Sequence, residues 1–151
     1  MGYENEEQML VGKKIIKIYM NEDYLKFETD KGNIVYSVEG ECCSSSIFYD
    51  FVGVEKLLKN GPVTEVKEVD LHPSDIITTK EKYPTMEDKK DSDDSIQVYG
   101  YQITTEDKDL GLVTSVFSFR NYSNGYYGGS LDRREGEPNC LEEFIELKKD
   151  F

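Results

Sequence analysis

Residues 95–105, SIQVYGYQITT, and residues 112–120, LVTSVFSFR, decide the fold. Both runs are rich in β-branched and aromatic side chains, which suit a pleated surface. Both also alternate. Ile96, Val98 and Gly100 fall on one face of the first run, with Gln97, Tyr99 and Tyr101 on the other. Val113, Ser115, Phe117 and Phe119 share one face of the second. A period of two is the mark of a strand. Residues 106–111 are a charged turn between the runs, so the pair predicts a long hairpin.

Immediately after it comes residues 119–131, FRNYSNGYYGGSL. Asn124-Gly125 is a strong turn signal, because both residues tolerate positive φ. Gly128-Gly129 lets a backbone approach something closely. Tyr122, Tyr126 and Tyr127 offer aromatic faces with hydroxyl ends, suited to stacking a base or anchoring a protein interface. Arg120 suits a phosphate or carboxylate. Arg120, Asn121, Tyr122, Asn124, Tyr126 and Tyr127 are therefore the candidate ligand- or partner-binding residues. The alternative is a hairpin whose tyrosines cover the sheet and whose glycines make room for them.

Upstream, residues 13–20 (KKIIKIYM), 24–29 (YLKFET) and 34–38 read as three strands with turns at 21–23 and 30–33. Leu25 and Phe27 alternate with Lys26 and Glu28. Connections this short predict an antiparallel meander. Residues 1–11 read as a flexible acidic tail or short helix, with the domain spanning 12–151. The serines of 44–46 precede Ile47, Phe48 and Phe51, which predicts a serine-capped helix with Phe48 and Phe51 on its buried face. A one-turn helix follows over 53–58, ended by Asn60-Gly61-Pro62. Residues 63–71 predict a strand. Residues 72–94 carry seven acids, four lysines and two prolines with little apolar pattern, and predict a mobile acidic insertion. Asn139 is placed to cap a final helix, with Leu141, Phe144 and Ile145 on one face; a strand over 144–147 is the alternative. The sum is an α+β fold, mainly antiparallel β-sheet with one or two short helices.

The 151 residues suit one domain. Net charge is −13, which argues against direct nucleic-acid binding through phosphates. An acidic surface can instead compete for a basic groove on another protein, as a nucleic-acid mimic does. No run approaches the roughly 20 apolar residues of a membrane span. The first residues are acidic, with no basic stretch leading into an apolar one, so a cytoplasmic location is the expectation.

Three cysteines, two of them adjacent, do not make a disulfide framework. Zinc would need paired ligands such as C-x-x-C; Cys42, Cys43, Cys140 and His72 lack that spacing, and no metal or cofactor is expected. A Cys43–His72 nucleophile pair is the weakest expectation, since nothing in the sequence brings the two together. Carboxylate pairs such as Glu39 with Glu41, or Glu65 with Glu68, need environments that separate their pKa values before they can do acid–base work. No catalytic residue is assigned.

Residues 40–58 (GECCSSSIFYDFVGVEKLL) and 119–131 (FRNYSNGYYGGSL) resemble motifs of a family of small phage and prophage proteins classed as a domain of unknown function. The resemblance runs from Gly12 to Leu131. It implies a phage or mobile-element protein acting inside a bacterial cell, and brings no catalytic residue. With the charge, it sets the leading expectation: an acidic, non-enzymatic antagonist of a bacterial defence system that binds a host protein. A small-ligand binder, sequestering a nucleotide signal at residues 120–127, is the second.

Overall fold

The computed structural model describes residues 6–21, 23–40, 45–71, 96–122, 129–134 and 145–150. A 3-10 helix spans Glu6–Leu10, and the strands are β1 (Ile15–Met20), β2 (Tyr24–Thr29), β3 (Gly32–Gly40), β4 (Ser45–Val52), β5 (Glu65–Leu71), β6 (Ile96–Asp107), β7 (Gly111–Tyr122), β8 (Gly129–Arg134) and β9 (Ile145–Leu147). One short helix, α1 (Val54–Lys59), follows β4. The strands form two antiparallel sheets, ordered β8-β3-β2-β1-β9 and β4-β7-β6-β5. The fold is thus sheet-dominated, as expected, with a single short α-helix among the described residues.

Turn chemistry sets the registers. Asn21 accepts hydrogen bonds at its Oδ1 from the backbone N–H of Asp23 (2.9 Å) and Tyr24 (2.7 Å), closing the β1–β2 turn. Thr29 and Gly32 close the next one: the Thr29 hydroxyl donates to the Gly32 carbonyl at 2.6 Å. Asp107 accepts from the N–H groups of Asp109 and Leu110 and turns β6 into β7. The expected hairpin is present, paired from Ile96↔Tyr122 to Asp107↔Gly111.

The core lies between the sheets. Phe27 of β2 is fully buried, with its ring 6.1 Å from those of Phe51 and Phe117 in the opposite sheet. Phe48, Phe119, Tyr101 and Ile103 extend the same cluster. Such side chains each contribute roughly 1.5–3 kcal/mol on burial.

Two expectations are corrected, and one left open is decided. Residues 44–51 do not form a helix: Ser45–Val52 is strand β4. Phe48 and Phe51 both reach the core because the β4–β7 register shifts between Phe48 and Asp50. A β-bulge inserts one residue, so a spacing of three keeps both rings on one face. The open reading is that of residues 1–11, a tail or a short helix, whose described part takes the helix. Glu6–Leu10 is a 3-10 helix with Leu10 fully buried. Gln8 donates to the Val66 carbonyl at 2.5 Å, and Val11 bridges to Val63. The helix packs on both β5 and β8, so it spans the gap between two sheet edges. The second correction is that Ile145–Leu147 is a strand and not part of a helix, with Leu147 as its buried member. Residues 72–95, which hold the expected insertion, lie outside the described residues.

Candidate functional site

The segments singled out by composition all join the framework at one end. β4 begins at Ser45, which pairs with Tyr122 at the end of β7. Tyr122 also pairs with Ile96 at the start of β6. β5 ends at Leu71, paired with Val98. In the other sheet, Gly40 at the end of β3 pairs with Gly129 at the start of β8. The chain therefore leaves and re-enters this end around residues 41–44, 72–95 and 123–128. Two rungs, Gly40↔Gly129 and Ser45↔Tyr122, bracket both the Cys-Cys-Ser and the Asn-Gly-Tyr-Tyr-Gly-Gly blocks. Cys42, Cys43, His72, Asn124, Tyr126, Tyr127, Cys140 and the side chain of Tyr122 lie outside the described residues.

Arg120 and Asn121 are described, and both are interior. Asn121 is fully buried, and Arg120 is 6% exposed. Arg120 shares a strand with Phe117 and Phe119 but alternates with them, so it points away from the aromatic core. There its Nη2 lies 3.7 Å from Oδ2 of Asp50, itself fully buried. The Ser118 hydroxyl, also buried, donates to the same carboxylate oxygen at 3.4 Å. The cation that the sequence offered to a phosphate is thus engaged by the chain's own carboxylate. Two buried charges hold each other in place here because either alone would be strongly penalised.

Asp50 and Ser118 were not anticipated. Their pairing follows from the β4–β7 register. Once Ser45–Val52 is read as a strand with a bulge, Asp50 falls opposite Ser118, and Ile47 opposite Arg120. Among the described residues, two tyrosines stack on core phenylalanines. Tyr99 stacks on Phe119 with centroids 4.8 Å apart, and Tyr101 on Phe117 at 5.2 Å.

The opposite end is built for rigidity. Gly53 precedes α1 at φ +82°, and no side chain of its own caps the helix. Asp150 does so from a distance: its Oδ1 accepts from the N–H groups of Gly53 (2.8 Å) and Val54 (3.0 Å). Lys14 donates to the Leu58 and Asn60 carbonyls at the other terminus of α1. Lys56 pairs with Asp107 at 3.1 Å. The Asp109 N–H, the Lys56 ammonium and the Leu110 N–H, in that order, hold the Asp107 carboxyl below its ordinary range.

Charge divides unevenly between framework and segments. The described elements and turns hold 17 of the 31 acids and 14 of the 18 bases, a net of −3. The other 14 acids and 4 bases carry −10 of the total −13. Among the described residues, no group of three or more His, Cys, Asp or Glu is placed to hold a metal ion. No helix among them is long and apolar enough to cross a membrane.

The uncharacterized protein L278 of Acanthamoeba polyphaga mimivirus is 33% identical over 140 residues, which cover 85% of this chain and 93% of that protein. No solved structure matches. Residues 8–133 match the family described as Domain of unknown function (DUF7448). That span runs from the 3-10 helix to β8 and includes every strand of the four-stranded sheet; the chain belongs to this family.

Proposed function

We propose that the protein is an acidic binding protein of viral or mobile-element type, without enzymatic activity, that antagonises host defence by occupying a basic surface on a host protein. The charge partition carries this reading. The framework carries a net of −3, and the segments outside its elements carry −10. Matching a basic groove with such charge accelerates encounter and selects the partner. The viral relative supports the setting. A nucleotide-binding site would need a cation other than Arg120, which is buried against Asp50, so the protein-binding reading is preferred.

The test is affinity capture from host lysate, with both proteins and small molecules identified by mass spectrometry. Captured candidates are then purified and titrated at several salt concentrations. The reading expects a partner with a basic patch, affinity that falls steeply with salt, and at least tenfold weaker binding after Asp91, Asp93 and Asp94 are all changed to Lys. Capture that ignores both salt and charge reversal would overturn it, and a stoichiometric nucleotide would favour the alternative.

A further inference from the structure

Among the described residues, Leu110 and Leu112 are the most exposed large hydrophobic side chains, at 65% and 69%. They flank Gly111 at the tip of the β6–β7 hairpin. The tip is locked in place. Asp107 accepts from the N–H groups of Asp109 (2.9 Å) and Leu110 (3.1 Å), and Lys56 of α1 pairs with the same carboxyl. A turn held in this way presents its side chains to a partner at little entropic cost. The apolar surface continues along the sheet. Phe117 and Phe119 of β7 face the core, so Leu112, Thr114 and Val116 share the outer face. Val116 is half-buried, and Val52, opposite it on β4, is 41% exposed. The rim is of mixed sign. Glu106 lies opposite Leu112, Glu65 and Lys67 stand on the same outer face of β5, and Lys108 and Asp109 form the turn. All five are exposed.

We propose that the stripe of Leu110, Leu112, Val116 and Val52 is the contact surface for a second copy of the chain, joined about a two-fold axis. Two observations select that occupant. A two-fold contact sets a surface against itself, so its rim must carry charges of both signs. Three acids interspersed with two lysines meet that need, whereas a basic host surface would call for acids alone. The placement of the remaining charge is the second observation. Residues 41–44, 72–95 and 123–128 join the four-stranded sheet at the end away from the hairpin tip, and 72–95 alone hold seven acids against four lysines. Contact at the tip buries apolar surface away from those attachments, where two chains of −13 each repel least. This contact stands whether or not the acidic segments bind a host protein.

Sedimentation equilibrium tests it on three full-length proteins: the unaltered chain, the double variant Leu110→Asp with Leu112→Asp, and Ile16→Asp, a control on the other sheet where Ile16 is 49% exposed. The unaltered chain and Ile16→Asp are expected to be dimers at about 100 μM. The double variant is expected to be a monomer there, its dissociation constant raised about tenfold or more, with an unchanged urea midpoint because both side chains already face solvent. Added salt is expected to tighten the dimer, since it screens like-charge repulsion and leaves the apolar contact intact; binding to a basic partner changes in the opposite sense. A monomeric unaltered chain at that concentration would overturn the proposal. So would a dimer that survives the double substitution, is lost equally in Ile16→Asp, or weakens with salt. A host protein captured by a monomeric unaltered chain and lost with the double variant would assign the stripe to that protein instead, and overturn it too.

Discussion

Arg120→Met separates an interior Arg120 from a ligand-facing one. Its guanidinium lies 3.7 Å from Asp50, with the side chains 7% and 1% exposed. Methionine keeps most of the volume and removes the charge that the buried Asp50 carboxylate faces. Breaking a buried pair from one side costs about 3–5 kcal/mol. For a chain of this length each kcal/mol moves Tm by about 2–4 °C, so a fall of about 6–20 °C is expected. Urea unfolding followed by circular dichroism measures the same loss as a lower midpoint. The double variant Asp50→Asn with Arg120→Met is expected to recover at least half of it, since a neutral amide can still accept from Ser118 and no charge remains stranded. An Arg120→Met chain within about 0.5 kcal/mol of the unaltered one, as for an ordinary surface position, would refute the reasoning.

Gly53→Ala is expected to destabilise by about 1–3 kcal/mol or more from the left-handed backbone alone; a Cβ there would also sit 2.8 Å from the Ser115 Oγ and 3.0 Å from the Thr114 carbonyl, and thermal denaturation reads the loss. Phe27→Ala removes the ring shared by the two sheets and is expected to cost about 3–5 kcal/mol in urea unfolding. Asp107 supplies a pH test with a definite sign. Its folded pKa lies below the ordinary 3.8, so its stabilisation is complete above that value and is lost as pH falls through the folded pKa. NMR titration is expected to place its midpoint below 3.8, and Asp107→Asn to flatten the acid limb of the stability profile.

The strands that announced themselves did so by a clean period of two. In 24–29 and 112–120 the largest apolar residues recur at every second position, and the structure buries Leu25, Phe27, Phe117 and Phe119 together. Residues 44–51 were misread because a bulge converts a spacing of two into three, and a spacing of three is also the mark of a helix. Nothing local distinguishes those cases; the pairing with β7 does. Residues 1–11 read as a tail or a short helix because the burial of Leu10 depends on β5 and β8, far away in sequence. The same limit governs the site. Turn residues such as Asn21 act on backbone two or three positions on, so they are legible in sequence. Asp50 and Arg120 meet only once the register of two strands is fixed.

The charge partition constrains any function more tightly than the total of −13 does. A net of −3 on the described elements means the framework can fold without strong self-repulsion, at ionic strengths where the Debye length is about 8–10 Å. Within the framework, ion pairs and caps close on its own carboxylates: Lys56 with Asp107, Asp150 with the start of α1, Arg120 with Asp50. Carboxylates needed for folding would be expected inside such pairs. Carboxylates outside them gain their free energy from solvent or from a partner, and the two cases differ in a measurable way. If only solvent faces them, neutralising Asp91, Asp93 and Asp94 leaves stability within about 0.5 kcal/mol of the unaltered chain and changes no association. If a basic partner faces them, stability is equally unmoved while association weakens and loses part of its salt dependence. The combination of unchanged folding with weakened binding belongs to the proposed function alone.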